Sequence, residues 1–111
     1  MLDNLNSILL EGELIENPEV DVDDYGIPVC RFKIASKKFI KGIKSIRNDK
    51  VETYFFDIIT YDKEAKICSE SLLKGSCVRL IGWVKQDLKT EDNKIVFVGT
   101  HIELKPKTKG D

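Results

Sequence analysis

One helical pattern interrupts a chain whose other regular segments have the two-residue period of β-strands. Residues 62–75 (DKEAKICSESLLKG) predict a helix that Asp62 caps and Gly75 ends. Its apolar side carries Ala65, Ile67, Cys68, Leu72 and Leu73. Strands are predicted over residues 6–14, 28–36, 51–61, 76–88 and 95–104. The order of three strands, one helix and two strands leaves few possible folds.

A small five-stranded barrel with its single helix between the third and fourth strands is the OB-fold. We therefore predict an all-β chain, with one OB-fold barrel over residues 1–105 and a short polar tail over 106–111. Gly12, inside the first strand, indicates a bulge or sharp bend. OB-folds bind oligonucleotides or oligosaccharides, and the fold alone does not decide between them.

The third strand, VETYFFDIITY, is apolar on both faces. Strict alternation places Tyr54, Phe56 and Ile58 on one face. The opposite face carries Phe55, Asp57, Ile59 and Tyr61. A strand with one solvated side would not need a second apolar face. In the second strand, Arg31 and Lys33 form a basic outer face by the same alternation.

Positive charge is concentrated in one short stretch. The chain has a formal net charge of −1, and residues 1–30 contain eight acids and no base. Residues 37–50 (KKFIKGIKSIRNDK) carry one acid, Asp49, and six bases, which are Lys37, Lys38, Lys41, Lys44, Arg47 and Lys50. We predict a loop here. It is either a solvated loop or an arm that follows a polyanion, since a local patch can bind one even when the net charge is near zero.

Several other classes of protein are disfavoured. The N-terminus is acidic and does not resemble a signal peptide, and no apolar run approaches the length of a membrane span. Three widely spaced cysteines without a CxxC pair indicate reduced thiols in a cytosolic protein. His101 has no nucleophile or metal-ligand spacing nearby, so we expect no enzyme activity, no metal and no cofactor.

Six segments in order resemble bacterial single-stranded DNA-binding proteins. They are NSILLEGEL (6–14), NPE (17–19), GIPVCRFKIA (26–35), TYFFDIITY (53–61), AKICSESLLKGS (65–76) and VRLIG (78–82). The resemblance covers about residues 6–104. It implies a cytoplasmic, nucleoid-associated homotetramer around which single-stranded DNA wraps during replication, recombination and repair.

The resemblance also assigns aromatic residues. The stacking aromatics of the family fall on Phe55 and Tyr61, although core or subunit-contact positions would also explain these two residues. A third stacking aromatic of the family is expected at the position of Ile40, and Phe39 lies one residue before that position. A further family aromatic has no counterpart at residues 88–90. Trp83 alternates with Arg79 and Lys85, which puts it on the ligand face or at a subunit contact.

Basic residues are assigned in the same way. In the family, the loop between the second and third strands reaches over the bound strand, so the basic stretch would contact phosphates there. The full set of expected DNA-contacting cations is Arg31, Lys33, Lys37, Lys38, Lys41, Lys44, Arg47, Lys50, Arg79, Lys85 and Lys89.

The end of the chain departs from the family pattern. Most bacterial members carry a long tail with an acidic tip that recruits other enzymes, whereas this sequence ends KPKTKGD. Either a tail was removed or the chain belongs to a tail-less branch, and we expect no tip-dependent partners for this form. The alternative is a dimeric primosomal replication protein N-like OB-fold acting in replication restart. A carbohydrate- or protein-binding OB module would not need the basic stretch.

Overall fold

In the computed structural model, which describes residues 3–88 and 90–106, six strands and one helix are formed. Their bounds are β1 Ile8–Leu14, β2 Glu19–Val22, β3 Pro28–Ile40, β4 Lys50–Tyr61, α1 Asp62–Ser71, β5 Cys77–Gln86 and β6 Ile95–Lys105. No helix in this part of the chain is long and apolar enough to span a bilayer.

Five of the strands close into a barrel. The sheet order is β1-β5-β6-β4-β3-β2, and β1 pairs with β3 as well as with β5, which joins the two ends. Strands β4 and β6 are parallel, and the other pairs are antiparallel. β2 lies outside the barrel, on the free edge of β3. The predicted five-stranded OB-fold, with α1 between the third and fourth barrel strands, is therefore confirmed.

Gly12 lies where β1 changes its partner strand. Gly12 is still paired with Val78 of β5, while the next residue, Glu13, is also paired with Ala35 of β3. A Cβ at position 12 would lie 2.7 Å from the carbonyl oxygen of Ala35. Only glycine permits this approach without a shift of the backbone. Gly12 thus lies at the point where the barrel closes.

The core fills the barrel and extends beneath the helix. Its buried residues are Leu14, Cys30, Phe32, Ile34, Ile58, Ala65, Cys68, Leu72, Val78 and Leu80. Burial raises the pKa of Cys30, and it raises that of Cys68 to about 12, so both thiols stay protonated at neutral pH. These two cysteines are core residues, whereas Cys77 is half-buried.

The helix differs from its prediction at both ends. Asp62 makes no capping hydrogen bond and has a positive φ of 54°. The helix ends at Ser71, and Gly75 occupies a later turn where its N–H donates to the carbonyl of Leu14. Ile67 and Leu73, predicted on the apolar side, are exposed because only Ala65, Cys68 and Leu72 face the barrel.

Thr60 is the one polar residue among the fully buried side chains described. Its hydroxyl donates to the carbonyl of Cys30 at 3.0 Å, across the β3–β4 pair. Thr60→Val removes this hydrogen bond at nearly constant shape, so we expect a loss of about 0.5–1.5 kcal/mol in the free energy of unfolding. Urea denaturation measures it. The exposed Thr53→Val on the same strand is the control, and an equal loss in both variants would contradict the assignment.

Candidate nucleic-acid interface

Strands β3 and β4 continue beyond the barrel as a two-stranded arm, residues 36–54. The two strands pair without interruption from Val29–Tyr61 to Ile40–Lys50. Pairing of β3 with β1 stops at Ala35, and pairing of β4 with β6 involves only Ile58 and Ile59. Within the arm, the two strands therefore pair only with each other over the described residues. The prediction of a loop over 37–50 is wrong at both ends, since residues 37–40 and Lys50 are in strands.

The tip of the arm, residues 41–49, is a folded turn. The backbone N–H of Gly42 donates to the Asp49 carboxylate at 2.6 Å, across the base of the turn. The carbonyl of Ile43 accepts hydrogen bonds from the N–H groups of Ile46 and Arg47. Lys41, Lys44 and Arg47 are all exposed here. The turn thus presents three cations to solvent on a compact backbone.

One face of β3 and β4, which we call the outer track, brings six of the expected residues together. Its members from β3 are Arg31, Lys33, Lys37 and Phe39, and those from β4 are Phe55, Asp57, Ile59 and Tyr61. Phe39 and Phe55 are 60% and 59% exposed, which is unusual for phenylalanine. Phe55 pairs with Ala35, four residues from Phe39, so the two rings are about 13 Å apart along the strand at ~3.3 Å per residue.

Not every arm cation lies on the outer track. Lys38 pairs with Glu52, and Lys50 with Ile40, on the opposite face of the ribbon. Lys50 also forms an ion pair with Glu52 at 3.1 Å. Side chains alternate along a strand, so Lys37 and Lys38 cannot share a face. Lys37 is thus better placed than Lys38 to contact a nucleic-acid strand that runs past Phe39.

Tyr61 is held in place, unlike the two phenylalanines. Its ring is half-buried against Val29, Ile59 and Val98. Lys85 donates a hydrogen bond to the Tyr61 hydroxyl at 2.6 Å, and its ammonium is 5.1 Å from the ring centroid. The ammonium is much nearer to the hydroxyl oxygen than to the ring centroid, so it lies beyond the hydroxyl end of the ring and not above the ring face. A ring face therefore remains available at a fixed orientation.

A cleft of about 370 Å³ opens beside Tyr61. Strands β3 and β4 form its floor, residues 16–19 form one wall, and the turn between β5 and β6 forms the other. Its charged lining residues are equal in number: the bases Arg31, Lys33, Lys85 and Lys94, and the acids Glu16, Glu19, Asp57 and Asp87. The cleft is thus charge-balanced, in contrast to the arm.

Asp57, on the floor of the cleft, forms ion pairs with two of its lysines. Its carboxylate lies 2.5 Å from the ammonium of Lys94 and 3.6 Å from that of Lys33. The hydrogen bond to Asp57 raises the pKa of Lys94. Sequence analysis missed Lys94, because it lies at the end of a turn 37 residues from Asp57 and no short motif connects them.

Two expected residues, Arg79 and Trp83, lie outside the cleft. Arg79 is six residues from Lys85 on β5, about 20 Å away, and forms an ion pair with Glu11 at 3.1 Å. Trp83 lies on the same side of β5 as Arg79, pairs with Val98 of β6 and is 39% exposed. Lys89 and the tail over residues 107–111 lie outside the described residues. Neither Arg79 nor Trp83 lines the cleft.

Comparison with known proteins identifies the family. The model of the single-strand binding protein family matches residues 5–105. The chain belongs to the single-strand binding protein family. A single-stranded DNA-binding protein of Borreliella burgdorferi is 31% identical over 97 residues, covering 82% of this chain and 62% of the relative. One of Treponema pallidum is 26% identical over 106 residues, covering 91% and 58%. The chain thus spans about 60% of the length of these family members.

Solved structures of the family share the fold. A Plasmodium falciparum protein, described as a complex with single-stranded DNA, superimposes with a TM-score of 0.80 at 19% identity, covering 96% of this chain and 99% of that one. A deletion mutant of the Thermus aquaticus single-stranded DNA-binding protein gives a TM-score of 0.80 at 15% identity, covering 96% and 53%. The primosomal alternative is not favoured, because the matching family model and these relatives all carry the single-strand binding description.

Proposed function

We propose that this protein binds single-stranded DNA with little sequence preference and protects it during replication, recombination and repair. The observation that carries the proposal is the pair of exposed phenylalanines, Phe39 and Phe55, on one face of a basic ribbon. Every base has a π-face, so stacking on such rings is tolerant of sequence. Membership of the family places the chain among binding proteins and not among enzymes.

DNA makes two kinds of contact along the outer track, base stacking and phosphate contacts. Bases stack on Phe39 and Phe55, and a further base contacts the fixed ring of Tyr61. The exposed cations of the arm, chiefly Lys37, Lys41, Lys44 and Arg47, contact phosphates and displace counterions. Arg31 and Lys33 continue this role toward the cleft. Arg79 contributes least, since Glu11 already neutralises it.

The assembly we propose is a homotetramer. Leu9 on β1 and Ile81 on β5 are paired neighbours, 67% and 45% exposed, and neither lines the cleft. Such an apolar pair at the surface suits burial against a second subunit. We place the protein in the cytoplasm with chromosomal DNA. Mass measurement in solution, with and without a poly-thymidine strand, tests the tetramer against the dimer.

Binding is tested by titrating the protein against labelled oligonucleotides of one length. Single strands of thymidine and of mixed sequence are compared with a duplex. We expect tight binding of both single strands and much weaker binding of the duplex, because the bases of a duplex are not free to stack on the arm. Equal affinity for the duplex, or no binding of any strand, would contradict the proposal.

A further inference from the structure

The carboxylate of Asp57 occupies the middle of the proposed DNA path. Asp57 lies on the same strand face as Phe55 and Tyr61, two residues after the first and four before the second. It is paired with Lys33 across the β3–β4 ladder, and Lys94 reaches it from the turn between β5 and β6. A nucleic-acid strand that passes from Phe55 to Tyr61 must cross this cluster.

A carboxylate in this position opposes phosphate binding. It repels a phosphate directly, and it occupies the two ammonium groups that a phosphate would otherwise use. Glu19, directly opposite Arg31 on β2, adds a further negative charge to the lining of the cleft. Counterions are released on binding only where cations attract phosphates, and Lys33 and Lys94 already have an internal counterion.

We infer that Asp57 attenuates single-strand binding because its carboxylate acts as an internal counterion for Lys33 and Lys94. The arm then supplies most of the salt-dependent affinity, and the cleft contributes through contacts with bases. This inference rests on the proposed function and adds to it a residue that weakens the complex. A DNA strand that is held less firmly in the cleft is released from the cleft first. This suits a protein that other enzymes must displace from DNA.

Asp57→Asn tests the inference, because it removes the charge and keeps the shape. The variant is expected to bind single-stranded DNA more tightly than the wild type at low salt. The slope of log affinity against log salt should become more negative by about 0.7 for each lysine that gains a phosphate, or about 1.4 for both. Adding Lys33→Gln and Lys94→Gln to the variant should return the slope to near the wild-type value.

Glu70→Gln is the matched control. Glu70 is exposed on α1, outside the cleft and off the outer track, so the substitution makes the same change in net charge away from the proposed DNA path. We expect it to leave the slope unchanged. An equal gain in Glu70→Gln and Asp57→Asn would mean a general charge effect and would overturn the inference.

Other outcomes are equally decisive. If the wild type binds and Asp57→Asn shows the same slope and affinity, or binds more weakly, the attenuating role is wrong while the proposed function stands. If the wild type does not bind at all, the proposed function itself fails. Should Asp57→Asn not fold, Lys94→Gln alone is compared with Lys37→Gln. The inference requires the smaller change of slope in Lys94→Gln, since only Lys94 is already paired with a carboxylate.

Discussion

Phe55→Ala is expected to weaken single-strand binding by about 1–3 kcal/mol, or roughly 5- to 150-fold, the range for losing one stacked base in proteins of this kind. Phe55 is 59% exposed and opposite Ala35, so its ring faces solvent above a small neighbour. The same exposure means that the substitution costs little stability. Anisotropy of a labelled thymidine strand measures the affinity, and urea denaturation checks the fold.

Tyr25→Ala is the matched control for this experiment. Tyr25 is 90% exposed in the turn between β2 and β3, so it is an aromatic of similar accessibility that lies off the outer track. Its loss should leave the affinity unchanged. A folded Phe55→Ala variant with wild-type affinity would remove Phe55 from the site and would favour a subunit contact for that face.

Replacing the four lysines Lys37, Lys38, Lys41 and Lys44 by Gln is expected to flatten the salt dependence of binding. Each phosphate contact on a single strand contributes about −0.7 to the slope of log affinity against log salt. The four substitutions together therefore make the slope less negative by at most about 2.8. Lys38 lies on the opposite face from Phe39, paired with Glu52, so we expect a change nearer to three contacts than to four.

Lysines on and after the helix give the control for the arm. Lys63, Lys66 and Lys74 are exposed and lie away from the outer track, so their replacement by Gln changes the net charge without touching the proposed path. Titrations at several salt concentrations should show a wild-type slope for this variant. If the arm variant also keeps the wild-type slope, the basic stretch is only a solvated surface.

The barrel could be predicted from sequence because each of its strands buries one face. Cys30, Phe32 and Ile34 alternate with Arg31 and Lys33, and burial follows that alternation residue by residue. In the arm, neither face is buried, so residues 37–40 show no apolar period and were predicted as loop. The acidic strand β2 is exposed at all four residues, and for the same reason it was not among the predicted strands.

The candidate site was predictable in part. The shared face of Phe55 and Tyr61 follows from alternation alone, and the structure places both there. The hydrogen bond between Lys85 and Tyr61 and the ion pair between Asp57 and Lys94 depend on how β5 and β6 return across β4. Such contacts join residues far apart in sequence, and no local pattern encodes them.

The unsupported ribbon has a consequence for the shape of whatever it binds. Two strands without a third neighbour coil more strongly than a full sheet, so the surface normal turns steadily from the barrel toward the tip. Phe39 and Tyr61, about 33 Å apart along ten residues, therefore face different directions. A polymer that touches both must wind as it goes. Duplex DNA, with a persistence length of about 50 nm, resists such a path over so short a distance. The twist of the ribbon thus favours a flexible polynucleotide over a stiff duplex in the complex that we propose.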